Sequence, residues 1–301
     1  MASFFCYVQY QDEMKSTVTK HSILSRRRCL LMFGTAISAA AERRLYDEWR
    51  RIAAATDGTV GAAALYFSSG ALVSLNGDES FSLASVCKIP ITMNILALVD
   101  EGKLGLTEQI EVLPRDVWAG VSNIERRWPA QRRFRLDEMI ELMLAKSDRR
   151  PSRSSERQCA LDRNGVAHYP PPSEWTDGSL EGLMDKVSTG DRYRATLRYL
   201  ADARDTGTPS TARLIESLKA TTTFPTRLKG LLPPGTVVAH KTGSTGTVNG
   251  LTAATNDSGV IFLPGRGQLA VSVYVKASTR TDSERDRIIA RVARAAFDFN
   301  Q

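Results

Sequence analysis

Apolar residues recur with two different periods along the chain. Alternation in steps of two predicts β-strands near both ends, because successive side chains of a strand point to opposite faces. Spacings of three and four predict helices. The clearest alternation is Leu269, Val271, Val273 and Val275. The predicted strands are 59–67, 71–75, 237–241, 251–255, 259–263 and 268–276, and the predicted helices are 42–55, 85–99, 136–145 and 282–300.

This order of elements predicts an α+β fold, here an α/β sandwich. Strands from both ends of the chain form one antiparallel sheet flanked by the first and last helices, and an all-helical lobe is inserted between them. The sheet domain takes residues 41–80 and 221–301, and the lobe takes residues 81–220. The stretch Pro264-Gly265-Arg266-Gly267 predicts a hairpin turn between the last two strands.

Residues 1–40 have the composition of an export signal. Three arginines, Arg26 to Arg28, precede a short apolar run that ends in small residues. The arginine pair resembles a twin-arginine signal, so we predict a periplasmic or secreted protein that begins near Ala41. No apolar run reaches the roughly 18 residues that a membrane-spanning helix needs, and we expect no stable membrane insertion.

The composition of the chain argues against several classes of function. The chain has 301 residues, 42% of them hydrophobic and 24% charged, which is typical of a globular protein. Part of its net charge of +7 lies in the leader, and the remainder does not suggest nucleic-acid binding. Its three histidines and four cysteines lack metal-ligand spacing, so we expect no metal and no cofactor. We expect Cys87 and Cys159 to be free thiols.

The first candidate for chemistry is the pair Ser85 and Lys88. On a helix, residues three apart share a face, which places the lysine amine beside the serine hydroxyl at the start of the predicted helix 85–99. A helix N-terminus favours developing negative charge, and a partly desolvated lysine can take the hydroxyl proton. The pair therefore predicts a nucleophilic serine activated by a lysine.

Two further motifs follow in chain order. Ser147-Asp148 comes directly after a predicted helix, and Lys241-Thr242-Gly243 ends a predicted strand. Gly243 allows a substrate backbone to approach closely. The Ser244 N–H can join the Ser85 N–H in an oxyanion hole, which stabilises the negative charge that develops on a carbonyl oxygen.

Together, these motifs resemble those of the class A serine β-lactamases. The resemblance implies the β-lactamase/transpeptidase-like fold and hydrolysis of the amide bond of a small-molecule β-lactam substrate. It also implies that Ser85 is the acylated nucleophile, with Lys88 as its proton partner. Ser147 would relay a proton to the leaving nitrogen, and Lys241 and Thr242 would bind the substrate carboxylate.

Two roles depend on shorter matches to the family. Arg227, shortly before Pro233, resembles the carboxylate-binding arginine of members that lack an arginine on the strand after Lys-Thr-Gly. Glu156 is the best match to the glutamate that activates the deacylating water, and Glu174 is the alternative.

The chain departs from the family around these residues. Arg149 stands where the family has an asparagine after Ser-Asp, and Ala160 stands where it has an asparagine after the glutamate. Few residues separate Ser147 from Glu156, so the helical lobe is shortened relative to the family. We therefore expect a monomer that is acylated faster than it is deacylated. The alternatives are a D,D-peptidase-like penicillin-binding acyltransferase and a degenerate relic that binds penicillin without turnover.

Overall fold

The protein, a computed structural model, is described over residues 39–77, 79, 81–112, 123–145 and 209–299. The helices are α1 (Ala39–Ala53), α2 (Lys88–Asp100), α3 (Asn123–Arg127), α4 (Leu136–Ala145), α5 (Pro209–Lys219) and α6 (Asp282–Asp298). The strands are β1 (Thr59–Tyr66), β2 (Leu72–Leu75), β3 (Gln109–Glu111), β4 (Arg133–Arg135), β5 (Val238–Ser244), β6 (Thr247–Val248), β7 (Leu251–Leu263) and β8 (Gly267–Ser278).

Strands from both ends of the chain form one antiparallel sheet, as the alternation predicts. The order is β2-β1-β8-β7-β5, and β6 pairs with β7. Strands β1 and β8 pair from Thr59 opposite Lys276 to Tyr66 opposite Leu269, which joins the two ends of the chain. The short strands β3 and β4 form a separate pair.

Each face of the sheet packs on its own hydrophobic core. Leu269, Val271 and Val273 of β8 belong to the core that includes residues of α1 and α6. Ala270 and Tyr274 belong to the core that includes α2, α4 and α5. The alternation predicted for this strand is therefore confirmed, because neighbouring residues separate into different layers.

The two terminal helices are tied to each other as well as to the sheet. The Trp49 indole of α1, fully buried, donates to the Val292 carbonyl of α6 at 3.1 Å. A capping box between Thr281 and Glu284 begins α6 by satisfying backbone N–H groups at its first turn. The sheet domain is therefore closed on this side by α1 and α6.

The prediction of two strands at 251–255 and 259–263 is wrong, because β7 runs unbroken through both. Its polar centre, Asn256-Asp257-Ser258, has the composition of a turn but is fully buried. Each of these side chains has a hydrogen-bond partner from another part of the chain, which offsets the cost of burying polar groups.

The predicted leader lies outside the described residues except for its last two positions. Helix α1 begins at Ala39 and not at residue 42, so it spans the predicted start of the mature chain near Ala41. Within the part of the chain that the structure describes, no helix is long and apolar enough to cross a membrane.

Candidate active site

The predicted nucleophile lies on the Ser85 turn, the 3₁₀ helix Ala84–Cys87. The sequence predicts an α-helix from residue 85, but the α-helix α2 begins only at Lys88. Ala84 adopts a φ of 45°, in the left-handed region that strains a non-glycine residue. The Val86 N–H then closes the tight turn onto the Leu83 carbonyl at 3.1 Å.

This geometry retains the predicted relation between Ser85 and Lys88. In a 3₁₀ helix, residues three apart lie directly above one another, so the serine and the lysine lie on the same side of the turn. Ser85 is half-buried, and Lys88 is only 2% exposed. The lysine therefore lies in the partly desolvated environment that the predicted chemistry requires.

Strand β5 passes directly beside the Ser85 turn. A Cβ atom placed on Gly243 would lie 2.8 Å from the Leu83 carbonyl oxygen and 3.0 Å from the Ser85 nitrogen. Only a residue without a side chain allows the two backbones to lie this close without displacing one of them. The contact brings Ser85 to the Lys241–Ser244 end of β5, although the two are far apart in sequence.

Asn256 of β7 holds the Ser85 turn from the other side, and sequence reasoning missed it. Its Nδ2 donates to the Ser82 carbonyl at 2.6 Å and to the Leu83 carbonyl at 3.1 Å. Its own carbonyl accepts from Arg227 at 2.9 Å. A buried amide therefore links the segment before the nucleophile to the sheet.

Three predicted binding residues lie at the end of β5. Lys241 is fully buried, and its Nζ donates to the Thr242 carbonyl at 3.0 Å. Thr242 is 3% exposed, and its hydroxyl lies 2.7 Å from that of Thr223. Ser244 is half-buried. Because side chains alternate along a strand, the Thr242 and Ser244 hydroxyls share one face of β5.

Arg227 contacts the same end of β5, and it is only 1% exposed. Its Nε donates to Asp286 at 2.7 Å, and its Nη1 donates to the carbonyl oxygens of Gly243 and Asn256 at 3.0 and 2.9 Å. Its Nη2 donates to the Ser244 hydroxyl at 2.7 Å. The guanidinium thus bonds to the predicted binding strand at the Gly243 carbonyl and at the Ser244 hydroxyl.

A histidine–aspartate pair adjoins Lys241, and sequence reasoning missed this pair too. His240 Nδ1 lies 2.9 Å from each carboxylate oxygen of Asp257, and both side chains are fully buried. Asp257 stands opposite Thr242 in the ladder and also accepts the Leu228 N–H at 3.1 Å. The pair therefore connects β5, β7 and the segment that carries Arg227.

The surroundings of one lysine beside the pair alter its pKa. Partial burial lowers the pKa of Lys229 from its ordinary value, and the Asp257 charge opposes this shift. Its Nζ reaches the Thr221 carbonyl at 3.5 Å. Desolvation therefore outweighs charge attraction at this position.

The expectation of a free thiol at Cys87 is wrong, because Cys87 is disulfide-bonded. The other cysteines, Cys6, Cys29 and Cys159, lie outside the described residues, so the partner does too. Sequence reasoning read this cysteine as a small apolar core residue. Its side chain is indeed buried, but burial does not distinguish a thiol from a disulfide.

The remaining predicted residues, Ser147, Glu156 and its alternative Glu174, lie outside the described residues. So do Arg149 and Ala160, the departures from the family pattern. Among the residues that the structure does describe, no group of three His, Cys, Asp or Glu side chains could hold a metal ion.

Comparison with known proteins identifies the family of this chain. A sequence model of the beta-lactamase enzyme family matches residues 44–150 and 177–299. The chain is 30% identical to the extended-spectrum beta-lactamase PER-1 of Pseudomonas aeruginosa over 95% of both chains. It is 26% identical to beta-lactamase VEB-1 of the same organism, over 89% of this chain and 94% of the relative. A beta-lactamase structure from Chitinophaga pinensis superposes with a TM-score of 0.72 at 29% identity, covering 86% of this chain and all of the other.

The sheet and its helices therefore define a hydrolase with the class A β-lactamase fold. The chain belongs to the beta-lactamase enzyme family, whose members hydrolyse the β-lactam amide bond. The family match includes Ser147 but leaves out residues 151–176, the interval that holds both Glu156 and Glu174.

Proposed function

We propose that this protein opens the β-lactam ring through an acyl-enzyme on Ser85. The observation that carries the proposal is the contact between Gly243 and the Ser85 turn. It brings the half-buried Ser85 and the buried Lys88 close to the end of β5, which supports a shared site. This arrangement fits covalent catalysis, in which a positioned nucleophile and a positioned base act on one bound group.

In the proposed acylation, Ser85 Oγ attacks the lactam carbonyl carbon while Lys88 takes the hydroxyl proton. The N–H groups of Ser85 and Ser244 stabilise the oxyanion. The bond between the carbonyl carbon and the lactam nitrogen then breaks. Ser147 relays a proton to that nitrogen, which leaves the ring-opened substrate esterified to Ser85.

The substrate carboxylate binds to Lys241, Thr242 and Ser244 in this proposal. Lys241 supplies the positive charge, and the two hydroxyls on one face of β5 supply hydrogen bonds. Arg227 acts on the same group through Ser244, because its Nη2 donates to the Ser244 hydroxyl and its Nε is paired with Asp286. Its contribution is therefore to position a donor.

Deacylation needs a base that activates a water, and we propose Glu156 for this role, with Glu174 as the alternative. Arg149 and Ala160 remove amide side chains that the family has near the substrate and the water. We therefore propose that hydrolysis of the ester is slower than its formation. We also propose that the protein is exported, which its arginine-rich leader supports, and that it acts as a monomer.

The test is the intact mass of the protein followed over time after addition of benzylpenicillin. We expect the mass to rise by one penicillin and then return slowly to that of the unmodified protein. Glu156→Gln should stop the return without slowing the rise, whereas Glu174→Gln should change neither. An adduct that persists in the wild type would support the non-hydrolysing relic. Turnover of D-alanyl-D-alanine peptides would support the peptidase alternative, and no adduct would contradict the proposal.

A matched pair of glycine variants tests the observation behind the proposal. Gly243→Ala should slow acylation by roughly 10- to 100-fold, because its Cβ would push on the Leu83 oxygen and the Ser85 nitrogen and misplace the nucleophile. Gly105→Ala is the control, since its Cβ would meet only ordinary contacts at 3.8 Å. Acylation of both variants at the wild-type rate would show that the contact does not position Ser85.

A further inference from the structure

The segment 221–230 runs alongside β5, and three of its side chains form hydrogen bonds to that strand. Thr221 Oγ1 donates to the His240 carbonyl, Thr223 Oγ1 pairs with Thr242 Oγ1, and Arg227 Nη2 donates to Ser244 Oγ, each at 2.7 Å. The three partners on β5 are spaced by two residues. Two of these partners, Thr242 and Ser244, are hydroxyls on one face of the strand that we propose binds the substrate carboxylate.

These contacts determine whether the hydroxyls of Thr242 and Ser244 on β5 can donate their protons to another group. A hydroxyl has one proton to donate, and a guanidinium can only donate. The bond from Arg227 to Ser244 therefore fills an acceptor site on the serine oxygen and leaves the serine proton for another partner. The same result holds at Thr242 when Thr223 donates to it.

A bound carboxylate favours the orientation of the threonine pair in which Thr223 donates its proton to Thr242. A carboxylate only accepts hydrogen bonds, so it is stabilised by a Thr242 proton directed towards it and repelled by a Thr242 lone pair. With Thr223 as the donor, Thr242 and Ser244 both present protons to the same side of β5. In the proposed function, Lys241 supplies the positive charge.

We propose that Thr223 is a positioning residue of the substrate site. Its hydroxyl donates to Thr242 and thereby fixes the Thr242 proton as a donor to the substrate carboxylate. Thr223 in this way favours β-lactams that carry an ionised carboxylate over neutral ones. The inference rests on the proposed function, because it assigns a role at the same site.

The experiment compares second-order acylation rates for benzylpenicillin and for its methyl ester. Thr223→Val keeps the shape of the side chain and removes the hydroxyl. It should lower the rate with benzylpenicillin by roughly 2- to 13-fold, the equivalent of one neutral hydrogen bond, and leave the rate with the ester close to that of the wild type. Thr223→Ser should restore the preference for the carboxylate.

Thr221→Val is the matched control in the same segment. It also removes one hydroxyl that bonds to β5, but its partner is the His240 backbone carbonyl and not a hydroxyl. It should lower the thermal midpoint of unfolding and leave the ratio of the two acylation rates unchanged. A merely structural role for Thr223 would give the same result as Thr221→Val.

Several outcomes would overturn the inference while the proposed function stands. These are an equal loss on both substrates in Thr223→Val, no loss on either, or a failure of Thr223→Ser to restore the ratio. No acylation of the wild type by benzylpenicillin would overturn the proposed function, and the inference with it. The wild-type measurement thus separates the two failures.

Discussion

Replacing Ser85 by alanine should abolish the penicillin adduct and lower β-lactam hydrolysis by on the order of 10⁴- to 10⁶-fold. The change removes the only atom that we propose to bond to the lactam carbonyl, and neighbouring groups cannot replace it. Losses of this size follow removal of the nucleophile in other serine hydrolases. The measurements are the intact mass after incubation with benzylpenicillin and the rate of ring opening.

Ser82→Ala is the control for this prediction. Ser82 lies three residues earlier and its side chain is exposed, and it is the backbone carbonyl of Ser82 that accepts from Asn256. This variant should form the adduct at the wild-type rate. Because Ser85 is only half-buried, the Ser85→Ala variant should also keep a thermal midpoint near that of the wild type. A penicillin adduct in Ser85→Ala would exclude Ser85 as the nucleophile.

The sequence predicts most of the sheet, because the signals of its strands are local; the exception is β7, which the sequence predicts as two strands. The alternation from Leu269 to Val275 predicts a strand with two different faces, and these residues do lie in two different cores. The turn before Gly267 and the helix that begins at Asp282 were also predicted at the right places. Periodic apolar residues and turn residues determine these elements without reference to distant parts of the chain.

The polar residues around the site could not be predicted in the same way. Asn256 and Asp257 interrupt an apolar pattern and therefore predict the end of a strand. In the structure, their hydrogen bonds to the segment before Ser85 and to β5 keep them inside a strand. Thr223 lies in a segment without periodicity, and only its contact with Thr242 distinguishes it from a surface threonine. Such roles depend on pairings between distant residues, which no local pattern reveals.

Arg227 has contacts in the structure that differ from the geometry that the motif suggests. The sequence suggests an arginine that reaches the substrate carboxylate directly. In the structure its guanidinium bonds to Asp286, to two backbone carbonyls and to Ser244. Its burial makes these bonds a requirement, because an unpaired charge inside a protein is costly. The residue therefore connects the stability of the fold to the position of Ser244.

The largest effect on stability is expected from removing the counter-charge of Arg227. Asp286 accepts from the Arg227 Nε at 2.7 Å and from the Thr226 hydroxyl at 2.6 Å, and the side chains of Arg227 and Asp286 are only 2% and 8% exposed. Breaking a buried ion pair by removing one partner costs about 3–5 kcal/mol. For a protein of this size, Asp286→Ala should lower the thermal midpoint by roughly 6–20 °C.

The stability of two further variants can be compared with that of Asp286→Ala. Asp298→Ala also removes an aspartate paired with an arginine on α6, but that pair with Arg294 is about 40% exposed, and such pairs contribute only about 0.2–1 kcal/mol. Asp286→Asn keeps the size of the side chain and one oxygen that can accept from Arg227. Its loss of stability should therefore lie between those of Asp286→Ala and Asp298→Ala. Urea unfolding at neutral pH measures all three. If Asp286→Ala cost no more than Asp298→Ala, the Arg227 charge would have to be compensated by the carbonyl oxygens and Ser244 alone, and the pair would not stabilise the site.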